Sequence, residues 1–390
     1  MLLAIAFEWG VVLRVGLCED AMIVRFSCTR WCVLRFDNIR LAAIGTEIPD
    51  EICSSDDIER RLSPLYERLK LPPGRLEMMS GIVERRMWPV GTVPSTPSIR
   101  SGRAAIEASG IDRQRIGCLI HASVCRDFLE PATASRVHHE LGLPSSAWVY
   151  DVSNACLGLV NGVTQIATLI QTGAIEAGLV VGTENARMLM DQTISHLNGD
   201  HSLTRKSVKP AFASLTIGSG SAAILVARED LVDDGDALVA ATCLAKTQHH
   251  DLCRSETDGA GASMTPLMDT DSERLMAEGI ACGAENLQQL LLATNWDRAA
   301  VDRTVCHQVG GRHREAMLAA MELPIDRDTK TFDRLGNTGS VALPLTLGAA
   351  IRRGDLSRGD RVACLGIGSG INSVMLGLIR GGTPVMGNVH

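Results

Sequence analysis

The 390-residue chain lacks any excess of positive charge. Its 38 Lys and Arg face 45 Asp and Glu, for a formal net charge of −7. Phosphate recognition needs a basic face, so nucleic acid is excluded as the main partner. Lysine is scarce: only Lys70, Lys206, Lys209, Lys246 and Lys330 occur, which reads as coding bias without functional content. None of the 12 cysteines forms a C-x-x-C pair, which excludes a zinc ribbon and a redox dithiol. Nowhere do 18 apolar residues run together, so no membrane span is expected. The N-terminal stretch has neither a basic n-region nor a clear small-residue cleavage site, which argues against a signal peptide. Residues 1–35 read as an extension or a misplaced start, with Met22 as a candidate true start, and the expected location is cytoplasmic.

What is present is an ordinary globular composition, 45% hydrophobic, in a length of two or three typical domains. From about Phe36, strand-like and helix-like segments alternate, which implies a layered α/β fold. Residues 115–124 form a continuous apolar run of the buried-strand type. The segment around Pro131 reads as a helix with proline at its first position. Residues 190–210 and 229–275 are polar and weakly periodic and read as loops, the second bridging two halves. LTIGSGSAAILVAR reads as two strands around a glycine turn.

The order of elements repeats. In the first half a buried strand and a helix are followed by a second strand leading into Cys156. Its helix stops at Gly173. In the second half a strand over 303–309 and a helix are followed by a segment leading into Asn337. That helix stops near Gly354. The duplication implies two similar units, 36–230 and 231–390, with Cys156 and Asn337 in equivalent places at helix N-terminal ends.

Those places carry candidate chemistry. At a helix N-terminus, orphan amides and the dipole would favour a Cys156 thiolate, and the small Ala155 and Gly158 leave room for a carbonyl. His307 leaves a buried strand into the glycine loop VGGRH. Asn337 lies in LGNTGS between two glycines. Each has a plainer reading: a buried cysteine, a core histidine, a turn asparagine. Together they suggest a Cys–His–Asn acyl-transfer site.

DVSNACLGLVNG around Cys156, HQVGGRH around His307, LGNTGSVALPLTL around Asn337 and the closing GIGSGIN resemble the thiolase superfamily. Within it they resemble the β-ketoacyl-acyl-carrier-protein synthase III branch, over about residues 36–380. The resemblance implies a duplicated fold of five layers, α-β-α-β-α, and a homodimer. The segment RDFLEPATAS, with Glu130 before Pro131, is similar to the head-to-head acyl-CoA condensing enzymes of long-chain olefin biosynthesis. In such dimers the glutamate reaches the partner's active site.

The resemblance implies an acyltransferase that joins two acyl-CoA thioesters by Claisen condensation without decarboxylation. The nucleophile is Cys156 and the base is Glu130. His307 and Asn337 act on the second thioester, and the backbone N–H groups of Cys156 and Ser369 form the oxyanion hole. No cofactor is implied beyond the CoA thioesters, and enzymes acting later on the product would be partners. The alternative is a decarboxylative synthase III using a malonyl-carrier protein in fatty-acid initiation. A scaffold subunit with a dead site is disfavoured because all three catalytic residue types are present. GIGSG lacks the helix and downstream acid of a dinucleotide loop. The stretch His249-His250-Asp251 with Cys253 lacks a second ligand cluster for a metal. Glu84-Arg85-Arg86 with Trp88 could meet CoA phosphates or line a dimer.

Overall fold

A computed structural model describes residues 6–7, 11–12, 32–255 and 268–389. Two compact units are distinguished, Met1–Cys32 and Val33–His390. In the first, Ala6–Phe7 pairs antiparallel with Val11–Val12. The rest of the expected extension, Met22 included, lies outside the described residues.

In the second unit nine strands form one path. They are β1 (Ile39–Glu47), β2 (Ile116–Ala122), β3 (Trp148–Val152), β4 (Ala177–Glu184), β5 (Gly220–Arg228), β6 (Asp236–Ala245), β7 (Arg303–Cys306), β8 (Arg361–Gly368) and β9 (Asn372–Ile379). Their order is β7-β8-β9-β6-β1-β5-β4-β2-β3. Outward from the middle, β1 is followed by antiparallel β5 and β4, then by β2 and β3, both parallel to β4. From β6 outward the pattern recurs: antiparallel β9 and β8, then parallel β7. A single parallel bridge, Thr304 to Asp328, stands where β3 stands in the first set. The two sets join through only two residue pairs, Asp236–Leu41 and Ala237–Arg40. They therefore act as two sheets meeting at a corner.

Six helices complete the layers: α1 (Ser95–Ser109), α2 (Thr133–Leu141), α3 (Gly158–Gln171), α4 (Ser272–Thr294), α5 (Gly311–Ala320) and α6 (Ala342–Arg353). α1 and α2 cover the outer face of the first sheet, α4 and α5 that of the second. α3 and α6 lie between the sheets, and their Leu159, Val163, Ile166, Leu345 and Leu347 share one core with residues of both. Helices held between two sheets must be largely apolar: every residue from Ala342 to Ala350 of α6 is buried, and α3 buries Leu159, Val160, Val163, Ile166, Ala167 and Ile170 while Gln165 stays exposed. The outcome is the five-layered α-β-α-β-α arrangement.

Three sequence readings are corrected. Arg187–Gly199 is a helix, not a loop. Its buried Met190, Thr193, Ile194 and Leu197 recur at helical spacing, and the polar residues between them mask it. DALVAATCLA within 229–275 is the strand β6; its small alanines carry a weak hydrophobic signal. LTIGSGSAAILVAR supplies one strand, β5, preceded by a 3₁₀ turn over Lys209–Thr216. No helix among the described residues is long and apolar enough to cross a membrane.

Ile166 is fully buried and packs over Gly178 of β4. Ile166→Ala is expected to lower the unfolding free energy by about 2–5 kcal/mol through transfer and cavity terms. Leu292→Ala, at a site 73% exposed, should change it by less than about 1 kcal/mol. Urea titration of both variants checks the contrast, and equal effects would contradict the layered placement.

Candidate active site

Cys156 sits on a tight turn between β3 and α3. Ala155 adopts a left-handed φ of 43°, a strained conformation for a residue with a Cβ. The Leu157 N–H donates to Asn154 O at 2.9 Å, closing the turn. Asn154 also donates from Nδ2 to Asn161 Oδ1 on α3 (2.8 Å) and accepts from Asn372 Nδ2 on β9 (3.3 Å). One side chain thus ties the turn to the helix behind it and to the opposite sheet. The helix itself begins at Gly158, with Leu157 as its cap. Cys156 therefore precedes the helix rather than opening it, and the expected dipole assistance is weaker. Burial first, then the nearby Cys253 and the Glu184 carboxylate, push its thiol up to about 12. Burial thus opposes the thiolate that a helix N-terminus would favour.

The turn joining β8 to β9 holds Ser369. A Cβ on Gly368 would lie 3.6 Å from the Cys156 nitrogen, so this turn runs against the nucleophile's backbone. His307 follows β7 directly and donates its N–H to Leu365 O of β8 at 3.0 Å. Its side chain is buried, 3% exposed, yet neither ring nitrogen has a hydrogen-bond partner. Burial, and then His313, push its imidazole down to about 3. The ring is neutral, with one donor and one acceptor unused. Unused buried polar atoms are costly and mark where a ligand group would be received.

Asn337 forms a parallel bridge with Ile217 and donates its N–H to Thr216 O at 2.9 Å. Its Oδ1 accepts from the Gly339 N–H at 3.0 Å. The flanking glycines are required: Gly336 and Gly339 have φ of 66° and 55°. A Cβ at Gly339 would also lie 3.1 Å from Glu184 Cγ. Gln308, beside His307, accepts from the N–H groups of Thr331 and Phe332 at 2.8 and 3.1 Å. It thereby anchors the short helix Phe332–Leu335 that leads into Asn337.

Glu130 lies apart, in the exposed loop between β2 and α2. That helix begins at Thr133, so Pro131 is not its first residue as expected. Phe128 and Leu129 beside Glu130 are 62% and 53% exposed. The neighbouring edge strand β3 presents Trp148, 61% exposed.

Comparisons with known proteins agree with this framework. Residues 98–219 match the thiolase N-terminal domain, and residues 291–377 the C-terminal domain of 3-oxoacyl-[acyl-carrier-protein] synthase III. An acyl-CoA:acyl-CoA alkyltransferase of Shewanella oneidensis is 37% identical over 88% of this chain and 99% of its own. That of Xanthomonas campestris is 32% identical over 87% and 98%. The chain belongs to the acyl-CoA:acyl-CoA alkyltransferase family of the thiolase superfamily. A β-ketoacyl synthase III of Laribacter hongkongensis is 26% identical over 85% and 96%. The crystal structure of Xanthomonas campestris OleA with lauric acid and lauroyl-CoA superimposes with a TM-score of 0.83 at 31% identity, covering 88% of this chain and all of that one.

Several residues of this alkyltransferase-family site escaped the sequence reading. Asn154 and Gln308 gave no signal beyond proximity to a motif. Arg85 is fully buried and donates to Cys53 O and Ser55 Oγ, so it is an interior strut and not a surface cation. Glu184, 5% exposed, closes the apolar strand AGLVVGTE; a carboxylate ending a buried strand was its visible signal. Among the described residues no group of three or more His, Cys, Asp or Glu is arranged to hold a metal.

Iodoacetamide alkylation of Cys156 in the unliganded protein, read by mass spectrometry, should keep rising from about pH 8 past about pH 10. The reactive thiolate fraction grows toward a pKa of about 12. A plateau reached below pH 8 would show a resting thiolate instead.

Proposed function

We propose that the protein is an acyltransferase that condenses two acyl-CoA molecules head to head through an acyl-Cys156 intermediate, without loss of CO₂. The first thioester is attacked by the Cys156 sulfur. The new C–S bond forms as the bond to CoA breaks, and the thiol proton leaves with the CoA sulfur. The transient oxyanion accepts from the N–H groups of Cys156 and Ser369. The proximity of Gly368 to the Cys156 nitrogen supports that pairing.

A second acyl-CoA then presents its carbonyl to His307 and Asn337. The neutral, unpartnered imidazole supports its role as a hydrogen-bond donor to the incipient enolate. Glu130 of the other protomer takes the α-proton. The carbanion attacks the acyl-Cys156 carbonyl, a C–C bond replaces the C–S bond, and the Cys156 thiolate regains a proton. The product is a β-ketoacyl-CoA.

The observation that carries this reading over the decarboxylative one is the carboxylate at position 130. A malonyl donor generates its carbanion by losing CO₂ and needs no such base. An unmodified acyl chain does. The exposed apolar residues around Glu130 and the open edge of β3 support a homodimer in which that loop enters the partner's site. The higher identity to the alkyltransferases than to synthase III agrees.

Incubation with one long-chain acyl-CoA and no malonyl donor should yield a β-keto product containing two acyl chains and no CO₂. Glu130→Ala should still acylate Cys156 in a burst while condensation falls roughly 10²- to 10⁴-fold. Strict dependence on a malonyl thioester, or full condensation by the variant, would decide for the other mechanism.

For the CoA moiety we propose the cavity lined by Arg75, Arg205, Lys209, Met79 and Phe212, cations above an apolar floor. Its helix, Arg75–Ser80, reaches the His307 loop: a Cβ on Gly310 would lie 2.7 Å from Ser80 O. The double variant Arg75→Ala with Lys209→Ala should raise KM for acyl-CoA several-fold with kcat largely kept, and added salt should mimic it. An unchanged KM would move the phosphates elsewhere.

A further inference from the structure

Glu184 ends β4 with its carboxylate buried. Its four donors are neutral. Oε1 accepts from Ser340 Oγ at 2.6 Å, Val124 N–H at 3.1 Å and Ser340 N–H at 3.3 Å. Oε2 accepts from Cys125 N–H at 3.4 Å. Three of these are backbone groups, so the carboxylate holds main chain rather than side chains.

The donors belong to two loops from different halves of the molecule. Ser340 lies three residues beyond Asn337, in the turn whose Gly339 N–H is held by Asn337 Oδ1. Val124 and Cys125 begin the loop that carries Glu130. Other bonds fasten the same stretches. Ala122 O lies 3.1 Å from Ser340 Oγ as a second acceptor for its single proton, and the Ser123 hydroxyl donates to Thr183 O (2.5 Å). Midway along the loop, Asp127 accepts from the Ser95 N–H at 2.8 Å and donates its own N–H to Thr133 Oγ1 at 3.1 Å. The loop is held at its start and its middle, and Phe128 to Pro131 beyond are exposed.

We propose that Glu184 is a positioning residue serving two active sites: it sets the Asn337 loop of its own site and the Glu130 loop of the partner's site with one carboxylate. This rests on the assignment of Glu130 to the partner's site. An ionised acceptor gives stronger bonds to N–H and O–H groups than a neutral one. Four such bonds to one carboxylate hold both loops against the same point. A shift of either loop displaces the other by way of a shared anion that cannot be left unpaired in a buried place. Glutamine cannot replace it, because its amide NH₂ would face either the Cys125 N–H or the Ser340 and Val124 N–H groups, donor against donor.

Co-expressed heterodimers with different affinity tags separate the two functions. One protomer carries Cys156→Ala and the other carries Glu130→Ala. The single competent site then combines the second protomer's Cys156 and Asn337 with the first protomer's Glu130. Glu184→Gln added to the Cys156→Ala protomer should reduce condensation roughly tenfold. The acylation burst and the KM for the first acyl-CoA should stay at the reference level, which a general folding defect would not allow. Glu184→Gln added to the Glu130→Ala protomer should reduce condensation by a similar factor. An unchanged rate in either arm overturns the proposal. An inactive reference heterodimer refutes the trans placement of Glu130 and with it the two-site role. If Glu184→Gln does not fold, Ser340→Ala in the Glu130→Ala protomer should still lower condensation, and an unchanged rate there overturns the Asn337 arm.

Discussion

The burial of two helices from different repeats between two sheets is the constraint on which the site depends. α3 and α6 touch both sheets and share one core. Interiors packed to crystal-like density tolerate little sliding. The segment before α3 carries Cys156 and the segment before α6 carries Asn337, so the packing of this central layer sets where each residue emerges. The third residue, His307, is fixed differently, by the register of β7 against β8 and its N–H bond to Leu365 O. Two sheets that share only two residue pairs, Asp236–Leu41 and Ala237–Arg40, thus have the residues between them positioned by the central helices.

The site so formed is poor in charge. Burial holds its thiol above and its imidazole below their usual ranges, and the Glu184 carboxylate embedded in its frame is satisfied by neutral donors. Fixed dipoles in a desolvated site act on charge only when it develops, and they need little reorganisation to do so. That suits a reaction whose charges, a tetrahedral oxyanion and then an enolate, exist only in passing.

The anchoring residues follow one logic. Asn154, Gln308 and Glu184 each bond to backbone or to amide groups on two separate segments. None needs to touch substrate. Each removes freedom from a loop, which is what a loop needs if it must pass close to a ligand and still keep one conformation.

The amino-acid sequence by itself determined the layered α/β class and the repeat, and it marked Cys156, His307 and Asn337 as candidates. Apolar runs of strand length, helices rich in apolar residues and glycines around Asn337 are local facts. It did not disclose the Arg187–Gly199 helix, whose buried positions are separated by polar ones. Nor did it disclose β6, whose alanines become apolar surface only when another sheet lies beside them. Tertiary structure alone decided the burial that pushes the Cys156 thiol up and the His307 imidazole down, because desolvation depends on what the rest of the chain places around a group. It alone decided that Glu184 would stand between Ser340 and Val124, more than 150 and about 60 residues away in the chain. Contacts at such separations arise from the closing of the fold, and no local pattern encodes them.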